Sequence, residues 1–556
     1  MSDTQPPPAK PTPEHPIAYF SAEYAIENNL PIYAGGLGVL AADLVLEAGE
    51  EGVPMVAFGV MYACGFDAAG ELSGRLDPIA AGFDLIKDAS GQTMTAKVAC
   101  NDHIVLVQAW QRTYGSARLI LLDTDNPDNN PQDQLITAHL YDTNYITELS
   151  QEMVVGLAAI DFMHQLGISP SVYHVNEGHT CFVIIGLLID YLKANPGASL
   201  ADAQAAVRTM VVATKHTILP GAGLFVERLV FRSVVGAALA GTDVDAIFQL
   251  GTTAEQPEHF SATKFILNQA RDASGVSKLH VASEKALHPK SRLETVTNGV
   301  HRSRWLAHSL KDHDGLNLNA DELWNIHSSN RSNLVATVND LLGSHLDANT
   351  LTVVWARRMA AYKRPALLFN NLLRLEALVT NTKQPIQFII AGKANSGDEE
   401  GKRILEEILK YCSLPKLSGR IVYLPGYSIP TTSHLVAGAD LWLNTPVRGQ
   451  EACGTSGMKA SLNGALQLST SDGWIDEVSE DCIGWKLPEE NIQAALYDYL
   501  EQKVAPLFYK RDANNLPIEW INRMHKSMVL INERFTAQRM LSEYMSKLYF
   551  PVKNTR

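Results

Sequence analysis

Residues 441–468 read LWLNTPVRGQEACGTSGMKASLNGALQL. Leu441–Asn444 and Ala465–Leu468 are short apolar runs of strand character, and a helical pattern lies between them. A strand, a glycine-rich turn, a helix and a second strand, in that order, predict a parallel α/β layer. Gly454, Thr455, Ser456 and Gly457 supply small side chains and backbone N–H groups where the loop enters the helix. Such a turn cradles a phosphate. Lys459 lies two residues past Gly457, about one helical turn inside. An amine so placed reaches the aldehyde of a phosphorylated cofactor, and pyridoxal phosphate held as a Schiff base fits that description. A Gly-Ser loop beside a surface lysine is the other reading of this stretch taken alone.

The same alternation continues outward in both directions. Leu351–Ala356, Ile386–Ala391 and Ile421–Leu424 read as strands of the second half. Pro54–Val60, His103–Ala109, Leu119–Leu122, Val172–Val175 and Thr209–Thr214 read as strands of the first. Helical patterns separate them, so the fold class is α/β with parallel sheets. The polar stretch 306–348 is expected to hold the crossing between two halves. Around 516–548, Trp520, Met524, Met528, Ile531 and Phe535 recur at helical spacing, and this segment is expected to pack back on the first half. Cys181–Leu192 is apolar but too short to span a membrane and ends near Asp190, which predicts a buried helix.

Composition narrows the function classes. With 46% hydrophobic and 19% charged residues the chain reads as soluble and globular. Its net charge of −14 argues against nucleic-acid binding through bulk positive charge. No basic-then-apolar leader is visible, and the proline-rich residues 1–16 are expected to be a disordered tail. Six cysteines (Cys64, Cys100, Cys181, Cys412, Cys453 and Cys482) are scattered without a CxxC pair, as expected for thiols in a reducing cytoplasm.

Against the acidic background, residues 348–375 carry Arg357, Arg358, Lys363, Arg364 and Arg374 and no acid. Two phosphates about 5 Å apart repel by about 3 kcal/mol per pair of unit charges at an effective dielectric near 20, so a two-phosphate site needs several fixed cations. A solvated basic helix face is the alternative. In the first half, Tyr33-Ala34-Gly35-Gly36-Leu37-Gly38 is a glycine turn before a helical pattern. Close strand-on-helix packing explains it equally well. His174, Glu177 and His179 do not match the helical zinc motifs, so no metal is expected. His216 follows a strand and precedes Pro220, where either a substrate-orienting residue or a buried, bonded histidine fits. Most of these residues follow strands, and open α/β sheets bind ligands beyond the carboxyl ends of their strands.

The motifs, in their order, resemble the α-glucan phosphorylases, the glycogen and maltodextrin phosphorylase family. The matching blocks are AYFSAEY at 18–24, YAGGLGVLAAD at 33–43, HVNEGH at 174–179, KHTILP at 215–220, TNGVHRSRW at 297–305, WARRMAAYKR at 355–364, AGKA at 391–394 and EACGTSGMKASLNGAL at 451–466. The resemblance implies the glycosyltransferase B architecture, two Rossmann-like domains facing an inter-domain cleft. On that reading residues 17–320 form the N-terminal domain, 321–515 the C-terminal domain that binds pyridoxal 5'-phosphate, and 516–556 a helical segment packing on the N-terminal domain. Lys459 would carry the cofactor, and Arg357 with the N–H groups of Gly454, Thr455 and Ser456 would hold its phosphate. Trp305 and Tyr427 would line its pocket. Arg358, Lys363 and the Gly35-Gly36 turn would hold the substrate phosphate. His216, His179, Asn298, Glu451 and Cys453 would face the sugar.

The implied reaction is phosphorolysis of terminal α-1,4-linked glucosyl units to α-glucose 1-phosphate with retention, run in the cytoplasm on glucan and inorganic phosphate. The cofactor phosphate would relay a proton, and no paired carboxylates would be needed. A homodimer is compatible with the resemblance; nucleic acid and membrane partners are not expected. Cys453 departs from the family's usual serine, and a thiol is the weaker hydrogen-bond donor. Two other readings stand beside this one: a nucleotide-sugar-dependent glucosyltransferase of the glycogen or starch synthase kind, and a non-catalytic glucan-binding relative. The former places a carboxylate near Lys459.

Overall fold

The computed structural model describes residues 10–551 apart from 143, 219–222, 288, 290–291, 312, 314–316 and 395–396. Residues 1–9 of the expected tail, and Leu219 and Pro220 of the KHTILP block, lie outside the described residues. The end of that tail is anchored: the His15 ring bonds Ser169 O at 2.9 Å, and Pro16 O accepts from Ser171 N at 2.9 Å.

Two sheets organise the chain. The first runs in the order Leu293–Thr295, Asp272–Gly275, Val211–Lys215, Val172–Asn176, Ile17–Phe20, Met55–Val60, Ala117–Asp123, His103–Tyr114 and Asp84–Leu85, with Ala96–Cys100 paired to His103–Tyr114. It is parallel as far as Ala117–Asp123 and antiparallel beyond. The sheet is therefore mixed, which the expectation of parallel sheets did not include. Its central strands are buried on both faces: Ala18, Phe20, Val56 and Phe58 face one helical layer, while Ile17, Tyr19, Met55 and Ala57 face the other. Such strands read as continuous apolar runs because helices cover both sides.

The second sheet is parallel throughout, in the order Ile421–Leu424, Ile386–Ala391, Leu351–Ala356, Leu441–Asn444, Leu466–Thr470 and Gly484–Leu487. In each sheet the chain starts near the middle, builds one side and returns to build the other. The first reverses between Ile17–Phe20 and Val172–Asn176, the second between Leu351–Ala356 and Leu441–Asn444. Such reversals open a crevice at the carboxyl ends of the two strands.

The stretch 306–348 is mostly a long helix, Ala320–Leu342, opened by an Asn319–Glu322 capping box and closed at Gly343 with φ 61°. It packs on Ile429–Gly438 and belongs to the second body. Its few buried polar groups converge on Asp440, which accepts from Arg331 at 2.6 Å and His327 at 3.0 Å. The C-terminal segment divides between the two bodies. Trp520, Met524, Met528 and Ile531 of the helix Ile518–Arg534 enter the second core. After Thr536, which bridges Val300, residues Met540, Leu541, Tyr544, Leu548 and Tyr549 enter the first. This last part carries the apolar packing on the N-terminal body, and the helix before it adds a polar link, Asn532 Oδ1 accepting from Arg302 Nε at 3.1 Å. Cys181–Ala194 is a buried helix, and no helix among the described residues is long and apolar enough to cross a membrane.

Candidate active site

The two crevices face one another and enclose a cavity of about 490 Å³. Loops from the first sheet supply Gly35, Gly36, His216 and Asn298; loops from the second supply Arg357, Arg358, Lys363 and residues 451–455, and the helix that follows supplies Ser456 and Lys459. Trp305 and Tyr427 complete the wall.

Arg357 follows directly on Leu351–Ala356, and Glu451 lies in the loop after Leu441–Asn444. The switch point brings them together. Arg357 donates through Nη2 to Glu451 Oε2 at 2.5 Å, and Lys363 Nζ donates to the same oxygen at 3.0 Å. The other end of the guanidinium donates to Asn444. Burial would raise the Glu451 carboxyl, but Arg357 and Lys363 outweigh it and hold the pKa at about 2. Two cations share one anion, so the excess positive charge falls on the lysine. Burial, then Arg357, pushes Lys363 down to about 8 against the pull of Glu451. Gly454 closes on this group with φ 77°, where an added Cβ would meet Glu451 Cγ at 3.2 Å and Arg357 Nη2 at 3.3 Å. Arg358 is the exposed member, its guanidinium 3.9 Å from Asp398.

Lys459 projects from the helix Ser456–Leu462 and is buried. Its Nζ stands 3.9 Å from the centre of the Trp305 ring and makes no hydrogen bond or ion pair among the described residues. Trp305 is fixed by its Nε1, which donates to Asp43 Oδ2 at 2.8 Å; Arg304 binds the other oxygen at 3.0 Å. Burial pushes the amine down to about 8, with Asp43 opposing. It thus gives up its proton more readily than an exposed lysine, as a nucleophilic amine requires. Ser456 Oγ is buried without a partner. An orphaned hydroxyl, an unpaired amine and the cations at the Gly454 turn fit the phosphate and aldehyde of pyridoxal phosphate.

On the opposite wall Glu23 Oε2 accepts from Ala34 N at 2.8 Å and Gly35 N at 3.2 Å, and Tyr141 donates to Oε1 at 2.7 Å. Nothing lies within 4 Å of a Cβ built at Gly35 or Gly36, so the turn faces open space. Burial lowers His216 to about 3, which keeps the ring neutral. Its Nε2 donates to Asn176 Oδ1 at 2.5 Å, leaving Nδ1 an acceptor. Asn298 Oδ1 is buried and unpartnered. Cys453 is buried, and that burial raises its thiol, which stays protonated.

Three expected members fall elsewhere. Arg364 pairs with Glu489 at 3.2 Å, and Arg374 with Asp498 at 2.7 Å and Glu501 at 2.6 Å, so both turn away from the cavity. Residues 348–375 lack acids of their own, and these come from 489–501. His179 is absent from the lining: its ring packs against Tyr141 at a tilt, 5.5 Å between centroids. Glu23, Asn176, Glu177 and Lys393 bear on the site without having been singled out for it. Each lies inside a quoted block, and the blocks were the only available signal. Among the described residues no His, Cys, Asp and Glu cluster suits a metal.

Comparison with known proteins bears on this geometry directly. A sequence model of the carbohydrate phosphorylases matches residues 310–492. Glycogen phosphorylase of Aquifex aeolicus (strain VF5) is 32% identical, over 97% of this chain and 87% of its own length. Maltodextrin phosphorylase of Thermococcus litoralis is 31% identical over 96% and 70%, and glycogen phosphorylase of Mycobacterium tuberculosis (strain H37Rv) 33% over 96% and 71%. Likeness at that level along nearly the whole chain, joined to a two-sheet cleft with a buried lysine, makes the protein a member of the α-glucan phosphorylase family.

Proposed function

We propose that the protein is a glycosyltransferase that cleaves terminal α-1,4-linked glucosyl units from glycogen or maltodextrin with inorganic phosphate, releasing α-glucose 1-phosphate with retention. The observation that carries this reading is the pairing, in one cavity, of the unpartnered Lys459 amine with the Arg357–Glu451–Lys363 group. Lys459 would hold the aldehyde of pyridoxal phosphate, and Arg357 with the N–H groups of Gly454, Thr455 and Ser456 would hold its phosphate. When bound, that phosphate supplies a proton-exchanging dianion beside the substrate phosphate.

Arg358, Lys363 and the Gly35-Gly36 turn bind inorganic phosphate. Arriving anions take over the cations that Glu451 now neutralises, and the freed carboxylate turns to a sugar hydroxyl. His216 accepts a second hydroxyl through Nδ1, and Asn298 Oδ1 a third. The proton of the bound inorganic phosphate passes to the glycosidic oxygen as its bond to the anomeric carbon breaks. A phosphate oxygen then bonds that carbon from the same face. The shortened glucan leaves with a free 4-hydroxyl. The walls must exclude water, or hydrolysis would compete. Six free cysteines and a phosphorylated product suit a reducing, phosphate-rich cytoplasm.

The test is an assay of protein loaded with pyridoxal phosphate against maltodextrin, with phosphate and without it. Phosphate-dependent glucose 1-phosphate is the expected product. Release of free glucose in its place, or transfer only from a nucleotide sugar, refutes the reading.

A further inference from the structure

Glu177 ends the strand Val172–Asn176 with φ 68° and ψ 170°. Glycine reaches that region freely and other residues only under strain, which survives where the surroundings over-determine it. Here they do so from several sides. The Glu177 N–H donates to Thr214 O at 2.9 Å, and its carbonyl accepts from Thr180 Oγ1 at 2.9 Å. Its carboxylate Oε1 accepts from two successive amides, His216 N at 2.5 Å and Thr217 N at 2.7 Å. The neighbouring Asn176 takes the His216 ring through Nε2. Lys215, beside these amides, is itself pinned by the buried Glu284 at 2.6 Å. Glycine would suit the backbone at 177 without strain, but it would bring no carboxylate.

We infer that Glu177 is the positioning residue for His216, its carboxylate bracketing the His216 and Thr217 amides so that the ring meets the reacting glucosyl unit in one orientation. The inference rests on the phosphorolysis reading for its substrate. It adds a role to a residue that touches neither phosphate nor cofactor. Misplacing a substrate-facing group by about 1 Å costs about a hundredfold in rate.

Two variants test it. Glu177→Gly removes the strain and the bracket together. Glu177→Gln keeps an accepting Oε1. The glycine variant is expected to keep its melting temperature, its bound cofactor and its KM for phosphate, while kcat with maltodextrin falls about a hundredfold. The glutamine variant is expected to recover most of that loss. Amide exchange at His216 and Thr217 should be slow in the wild type and the glutamine variant, and fast in the glycine variant. Wild-type kcat in the glycine variant overturns the inference. So does a glutamine variant as impaired as the glycine one, or a glycine variant that unfolds or loses phosphate affinity in step with kcat, because Glu177 would then be merely structural. A wild-type protein that releases no glucose 1-phosphate refutes the phosphorolysis reading alone; the exchange pattern then decides whether the bracket exists.

Discussion

At Lys459 the side chain proposed to hold the cofactor also bears an electrostatic cost of burial. Lys459→Ala should abolish retention of pyridoxal phosphate, read by absorbance after dialysis, and reduce turnover at least a thousandfold; a variant that keeps its bound cofactor contradicts the assignment. The amine's pKa of about 8 lies below the usual lysine value of 10.5, because burial disfavours the charged form more than Asp43 favours it. Between those values the unfolded chain binds more protons than the folded one, so stability without cofactor rises as pH climbs from about 8 towards 10.5. Lys363, also near 8, adds to the same slope. Denaturant titrations of cofactor-free protein across that window should show the rise, and Lys459→Met should flatten part of it. Glu451 has a dependence of the same sign in an acid window. Its folded pKa of about 2 lies below the usual carboxyl value of 4.5, so its contribution is complete above 4.5 and disappears as pH falls towards 2. Glu451→Gln leaves Arg357 and Lys363 buried without their counter-ion. It should cost about 3–5 kcal/mol in phosphate-free buffer. Added phosphate should restore much of that loss, and raise the melting temperature of the variant more than that of the wild type.

Elements place these side chains through their ends, and one glycine shows how narrowly. The left-handed backbone at Gly454 costs an L-residue about 1–2 kcal/mol, and an added methyl would press on Glu451 and Arg357. Gly454→Ala should therefore lower the melting temperature and weaken cofactor binding together; unchanged cofactor affinity would show that the turn is not part of the cradle. This turn was legible in the sequence because an apolar strand, small residues and a helix followed one another. So were Leu351–Ala356, Ile386–Ala391, Ile421–Leu424 and Leu441–Asn444, whose apolar runs coincide with buried strands. Ile17–Phe20 went unread although it is central to its sheet: four residues straight after a proline-rich stretch carry too little pattern. Asp272–Gly275 and Leu293–Thr295 are short and lack apolar runs, and their strand form comes from pairing with neighbours already in place. The cations divided in the same way. Sequence put Arg357 and Arg374 in one cluster, whereas the acids that draw Arg374 off arrive from a helix more than a hundred residues later.

Across the whole molecule, the cleft is set by contacts between the two bodies. Ser277 Oγ donates to Ala452 O at 2.6 Å, Lys278 N and Thr297 Oγ1 both donate to Glu477, and Lys393 Nζ donates to Asp67 O at 3.0 Å. The chain then crosses once more, and its last helices seal the first body. Arg539 donates to Thr297 O at 2.6 Å and Asn298 O at 3.0 Å, at the cavity wall that Asn298 lines. The Tyr549 hydroxyl bonds Nδ1 of His174, a buried ring held neutral near pKa 3, at 2.7 Å, while Thr214 takes Nε2. Met540, Leu541 and Leu548 contribute about 1.5–3 kcal/mol each by burial, a sum comparable with the net stability of a whole domain. Deletion from Thr536 onward should therefore unfold the first body before the second. Hydrogen exchange should become fast at Ile17–Phe20 and Val211–Lys215 while Ile518–Arg534 remains protected on its own core. If both bodies lose protection together, the terminal helices support the molecule as one cooperative unit, and the division of the C-terminal segment between two cores has no energetic meaning.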